Sequence, residues 1–219
     1  MLSAPWPFLR SYLTDTRQAE DRRAATHTHF NPPRSRGPHG ARDPGESRLL
    51  PSMLLRLSKI VLSAAIGLHL LIVTLNNVTD YQSNYDFVRH VLAMDTTFRG
   101  NALMWRAIHH APIYHVCYAV IILWEAAAAG VIFVGAWRLW RARHADAATF
   151  HHTKSTALAG LVLNLLLWLV AFITVGGEWF LMWQSSQWNG LGTASRMFTI
   201  VALVLLFLNT REDEVPETK

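Results

Sequence analysis

Apolar residues along this chain come in four long runs, and the polar stretches between them differ sharply from one another. The first run covers residues 54–75 and carries no charge after Lys59. The second covers residues 112–137, the third 155–176 and the fourth 194–209. Each approaches the ~20 residues a helix needs to cross ~30 Å of hydrocarbon. The fourth is the shortest and reaches that length with residues 190–195 added, or with Arg196 snorkelling at its end. The pattern predicts an all-α membrane protein, a four-transmembrane-helix bundle with both termini on one side.

Two of the connecting stretches are more than linkers. In NYDFVRHVLAM, Phe87, Val88, Val91 and Leu92 fall on one helical face, with Asp86, Arg89 and His90 off it. This predicts an amphipathic outer helix lying on the surface or capping the bundle. In GGEWFLMWQSSQWNG, Trp179, Phe180, Trp183 and Trp188 surround polar residues, the composition of an interfacial aromatic belt. The Gly176–Gly177 pair is expected to end the third helix.

Composition changes the picture at the N-terminus. The chain is 51% hydrophobic and 16% charged, but residues 1–52 are polar and dense in Arg, Pro and Gly. That stretch holds eight Arg against five acids, a net +3 of the chain's +5. The basic balance therefore comes mainly from a predicted disordered tail and does not point to nucleic acid. Met53 opens a short basic lead, MLLRLSK, directly before the first apolar run. This makes Met53 a candidate start, with residues 1–52 upstream of it. Residues 53–210 then form the membrane domain and residues 211–219 an acidic C-terminal tail.

Lys and Arg also set the orientation. Arg56 and Lys59 precede the first span, Arg138, Arg141, Arg143 and Lys154 lie between the second and third, and Arg211 follows the fourth. The positive-inside rule places these segments, and with them both termini, in the cytoplasm.

Glu125 is the first candidate for chemistry, because an ionisable residue inside a span is expensive and by default a functional hypothesis. At 1.5 Å per residue it lies ~20 Å in from Pro112, and Tyr114, Tyr118 and Ile121 share its face. Bonded to Tyr118 or to Asn164, the most polar residue inside the third span, it would be a structural contact between helices. Cycling a proton against a cationic substrate, it would be a transport site. His69 and His115 are the second candidate. They lie ~10 Å and ~5 Å below the outer ends of their helices, where they could ligate a haem or serve as polar contacts. His90, His109 and His110, beside Asp80, Asp86 and Asp95, show no recognised metal spacing. Small residues form stripes that predict close helix packing: Ser63, Gly67 and Thr74; Ala126 and Gly130; Ala157, Gly160, Asn164 and Ala171. Cys117 is the only cysteine, which excludes an intrachain disulfide. No nucleotide loop, nucleophile elbow or zincin helix is present, and no enzyme activity, cofactor or metal is expected.

NNVTDY (76–81), FVRHVLAMDTTF (87–98), MWRAI (104–108), IILWE (121–125) and GGEWFLMWQSSQWNG (176–190) together resemble the bacterial family called predicted small integral membrane protein, a domain of unknown function. Arg99 stands where that pattern more often has proline, and Ser195 where an aromatic residue precedes the Arg. The resemblance implies a multi-pass protein of the bacterial inner membrane and offers no catalytic residues. Three roles remain open on these residues: a non-enzymatic accessory or assembly component, as a subunit of a membrane complex or a homo-oligomer; a small proton-coupled transporter using Glu125; or a haem- or quinone-binding anchor using His69 and His115.

Overall fold

Helix α1 (Glu46–Thr79) opens the described part of the protein, a computed structural model covering residues 46–211. After one residue the chain turns into α2 (Tyr81–Ala93), and a 3₁₀ turn (Met104–Arg106) leads into α3 (Ala111–Arg141). A short α4 (Ala147–Thr153) is followed by α5 (Ser155–Leu166), which passes directly into a π-helical stretch (Leu167–Trp179). A second 3₁₀ turn (Met182–Gln184) precedes α6 (Leu191–Asn209). No strand occurs among the described residues. Four stretches are long and apolar enough to cross a bilayer: Ser52–Thr79, Ala111–Arg141, Ala147–Trp179 and Leu191–Asn209.

The expected spans are therefore present, with three corrections at their ends. Of the stretch expected to be a disordered tail, residues 1–45 lie outside the described residues, as does the C-terminal tail from 212, whereas the chain is already helical from Glu46. α1 runs past Leu75 to Thr79, which brings Asn77 into the bundle. The Gly176–Gly177 pair does not end the third span. The helix continues to Trp179, and the Phe180 N–H bonds back five residues to the Val175 carbonyl at 3.0 Å. These glycines serve close approach: a Cβ on Gly177 would sit 2.8 Å from Leu191 Cδ2 of α6.

Burial runs opposite to that of a water-soluble bundle. Arg56, Lys59, Tyr118 and Lys154 are among the largest fully buried side chains, while Leu54, Val61, Leu68, Leu123, Leu203 and Leu206 are more than half exposed. Lipid tails are as apolar as leucine, so such a surface is stable only with hydrocarbon as solvent.

The helices form a ring in the order α1, α3, α5 with its π-helical extension, α6 and back to α1. In one half the core is made of small and aliphatic side chains, among them Leu70, Ala128, Ile132, Leu139, Leu161 and Val201. There the backbones of α3 and α5 nearly touch. A Cβ on Gly135 would lie 2.4 Å from the Ala157 nitrogen, and one on Gly160 would lie 2.8 Å from the Ile132 nitrogen. The stripe expected on the second span, Ala126 and Gly130, is exposed instead, and nothing lies within 4 Å of a Cβ at Gly130. The packing face of α3 is Ala128, Ala129, Ile132, Gly135 and Ala136, because the helix is rotated to bury Glu125. On α1, Gly67 packs against Ile132 and Phe133 as its stripe predicted.

The two ends are chemically distinct. At the basic end, Arg56 Nη1 donates to the carbonyls of Arg143 and Ala145 at 2.9 and 2.5 Å. Lys59 and Lys154 both donate to the Thr210 carbonyl, each at 2.6 Å. Asp146 caps α4, accepting from the Thr149 N–H at 2.8 Å and its hydroxyl at 2.7 Å. Those bonds, the backbone one foremost, hold its carboxyl below the usual range. The cap is thus complete above a carboxyl's ordinary pKa and is lost as pH falls through the lowered value. At the opposite end Trp105, Trp179 and Trp183 are exposed, with the Arg106 guanidinium 4.4 Å from the Trp179 ring centroid and 5.3 Å from that of Trp105. This is the expected belt, except that Phe180 is buried and Trp188 stacks on His90 at 4.6 Å. α2 turns Val88, Val91 and Leu92 inward, as its amphipathic pattern predicted, whereas Phe87 is only half-buried and Tyr85, outside that predicted face, is buried with them.

Gly160→Val is expected to lower unfolding stability in detergent by about 1–3 kcal/mol, the usual cost of overpacking a tight core. Gly130→Ala, on the open face, should change it by less than about 0.5 kcal/mol. Denaturant titration followed by circular dichroism measures both.

Candidate functional site

Glu125 is only 2% exposed and lies on the inward face of α3. Its Oε2 accepts a hydrogen bond of 2.7 Å from Asn77 Nδ2 near the end of α1. Asn77 Oδ1 accepts in turn from Asn84 Nδ2 of α2 at 2.7 Å, and the Asn77 carbonyl accepts from the Tyr118 hydroxyl at 3.1 Å. Three helices thus meet at one amide side chain. The contact expected between Glu125 and Asn164 or a tyrosine is not made. Asn77 takes the place of both, and Tyr118 reaches the Asn77 backbone instead.

These groups line a cavity of about 240 Å³, large enough to hold ordered water. Its polar wall comprises Asn77, Asn84, Tyr118, Glu125, Trp168 and Thr193, and its apolar wall includes Phe87, Val88, Ile121 and Phe172. Trp168 is 7% exposed, and among the described residues its indole Nε1 has no hydrogen-bond partner. Among the described residues no Lys or Arg lines the cavity.

Aromatic rings cover the site from the Trp-rich end. Tyr81 lies 4.7 Å from Tyr118 between ring centroids, and Tyr85 stacks on His115 at 4.3 Å. His115 Nδ1 also pairs with the Tyr81 hydroxyl at 2.9 Å.

His69 is exposed on the outside of α1. It precedes Asn77 by eight residues, ~12 Å along the helix axis, whereas His115 lies about one turn on the other side of Tyr118, which is level with Asn77. The structure does not bring the two histidines together, so they form no axial pair for a haem. His90 is bound up in a surface cluster, with Asp95 at 2.7 Å and Arg89 at 2.8 Å.

The family described as predicted small integral membrane protein (DUF2165) matches residues 55–211, a span that includes every residue lining the cavity. The chain belongs to this family. No curated protein and no solved structure matches it. Like the family description, the geometry is that of an integral membrane protein with four apolar helices. Within this member of the small integral membrane protein family, three site residues escaped sequence reasoning. Asn77 and Asn84 sat in stretches read as outer segments, and Trp168 was hidden in an apolar run. The detectable signal was the asparagine-rich NNVTDY beside the end of span one.

Asn164 lies apart from this network. It is fully buried, and among the described residues neither its Oδ1 nor its Nδ2 has a partner. The antiparallel register set by Gly160 against Ile132 places it level with Ala128, about one turn nearer the basic end than Glu125. Asn164→Leu is expected to raise stability in detergent by about 1 kcal/mol, since it removes an unsatisfied polar group. Asn77→Ala should lower stability by about 1–3 kcal/mol, because Glu125 then loses its only hydrogen bond among the described residues. Thermal unfolding of the purified variants checks both signs.

Proposed function

We propose that this protein is a non-enzymatic, ligand-holding component of the bacterial inner membrane, and that the Glu125 cavity is its binding site. The observation that carries this reading is the unfinished hydrogen bonding of the cavity wall. Among the described residues, the Glu125 carboxyl is held by one bond, from Asn77, and the Trp168 indole N–H makes none. Buried polar groups are otherwise satisfied in the large majority of cases. A concave, mostly apolar site with a few converging polar groups is the usual form of a small-molecule site.

Packing supports holding a ligand over passing one through. Between Glu125 and the basic end the interior is filled by Ala128, Ala129, Ile132, Leu139, Leu161 and Val201. The concentration of Arg and Lys at that end supports a cytoplasmic placement for it and for both termini, with the cavity on the Trp-rich side of the packed core. An accessory role within a larger complex or a homo-oligomer is supported by the exposed face at Ala126 and Gly130, which lets another helix approach closely.

Dicyclohexylcarbodiimide, an apolar reagent for carboxyl groups, tests the reading in native membranes. A single adduct is expected at Glu125 by peptide mapping, absent from Glu125→Gln and formed several-fold more slowly in Thr193→Trp, which fills the cavity. A wild-type Glu125 that stays unmodified, or a rate unaffected by Thr193→Trp, would mean a sealed interhelical contact and would overturn the proposal.

A further inference from the structure

A second cavity, of about 340 Å³, adjoins the first. Phe87, Val88, Ile121 and Phe172 line both, so the two spaces share a wall. The wall of the second is otherwise apolar, with Cys117, Ala171 and Met182 among its residues. It opens sideways: Val116, Val120, Val170 and Val175 line it and are also strongly exposed on the outside of the bundle. Hydrocarbon can therefore enter this groove from the bilayer without crossing a polar surface.

We infer that the site takes a single-chain amphiphile, its hydroxyl-bearing, non-anionic head in the Glu125 cavity and its hydrocarbon tail in the adjoining groove. The head chemistry follows from Glu125. Among the described residues its carboxyl accepts a single bond, from Asn77, and keeps acceptor capacity that a hydroxyl can fill by donating to it. An anionic head such as a phosphate or carboxylate has no Lys or Arg to meet it in the cavity and would face the Glu125 carboxyl. The tail chemistry follows from continuity. A polar cavity and an apolar groove that share four walls match one molecule with a polar end and an apolar end. Side-chain rotamer changes on binding are common, and the shared wall carries the side chains of Phe87, Ile121 and Phe172.

This inference rests on the cavity reading above, and two residues allow the two to be tested apart. Glu125 reports on the head site through carbodiimide modification. Cys117, the chain's only cysteine, reports on the groove through alkylation by N-ethylmaleimide. The full chain in phosphatidylcholine nanodiscs is exposed to 1-dodecanol, 1-butanol or dodecanoate at equal membrane concentrations, and both rates are followed. Dodecanol is expected to slow both modifications several-fold with the same concentration dependence, while dodecanoate protects neither. Butanol should protect Glu125 only. Glu125→Gln should weaken the protection of Cys117 by dodecanol, and Ala171→Phe, which fills the groove, should weaken that of Glu125. Each variant is first required to match the wild type in circular dichroism and elution.

Equal protection of Glu125 by butanol and dodecanol, with Cys117 unprotected, would overturn the tail assignment and leave the cavity reading standing. Protection of Cys117 that is unchanged by Glu125→Gln would mean that ordinary lipid chains fill the groove, and would also overturn it. Protection by dodecanoate equal to that by dodecanol would overturn the head assignment. A Glu125 that carbodiimide never reaches would overturn the cavity reading itself, and this inference with it.

Discussion

Gly135 and Gly160 let the backbones of α3 and α5 meet with no side chain between them, and much of the remaining geometry follows from that contact. It fixes the register of two antiparallel helices, so that residues 160, 164 and 168 on one lie level with about 132, 128 and 124 on the other. Trp168 is thereby set at the depth of Glu125. The half of the bundle near the glycines is dense because its core residues are small or aliphatic. The other half mixes the rings of Tyr85, Tyr114, Tyr118 and Phe180 with valine, leucine and methionine, and rigid rings interlock less tightly. Both cavities lie in that half.

Glu125 is neither a bare charge in hydrocarbon nor a fully satisfied structural contact. Asn77 gives it one hydrogen bond and is itself steadied by Asn84, while Tyr118 holds the Asn77 backbone. A carboxyl offers about four lone-pair sites, so one donor leaves it with capacity to spare. The same incompleteness at Trp168, on the facing span, is what separates this arrangement from simple interhelical glue. Asn164 shows the contrast: it is also unpartnered, but it is packed in the dense half and lines neither cavity.

Sequence reasoning reached the architecture because the bilayer imposes a length on every span, and a length can be read from one chain. It also placed the inward face of α2 correctly, since Val88, Val91 and Leu92 repeat at helical spacing. It named Glu125 and Tyr118, and the face they share on α3, but missed their surroundings for three physical reasons. The first span was ended at Leu75, where hydropathy drops, although the helix continues for another turn and carries Asn77 into the bundle. The small residues at Ala126 and Gly130 predicted a packing face, but they lie on the open side of α3 while Glu125 is buried. The glycines at 176 and 177 looked like a helix stop, whereas the π-helical winding passes through them and uses their missing side chains to admit Leu191. In each case the deciding partner lies on another helix, and sequence spacing within one helix does not contain it.

The lysines at the basic end carry a consequence for biosynthesis. Lys59 belongs to the first span and Lys154 to the start of the third, yet both donate to the carbonyl of Thr210, just beyond the last helix. That acceptor leaves the ribosome after every other part of the bundle. Neither ammonium can complete its set of bonds while the first three spans are inserting. The ring is therefore closed from its final residues, and a chain that stops before Thr210 lacks the one carbonyl through which the first and third spans are both tied to the end of the fourth.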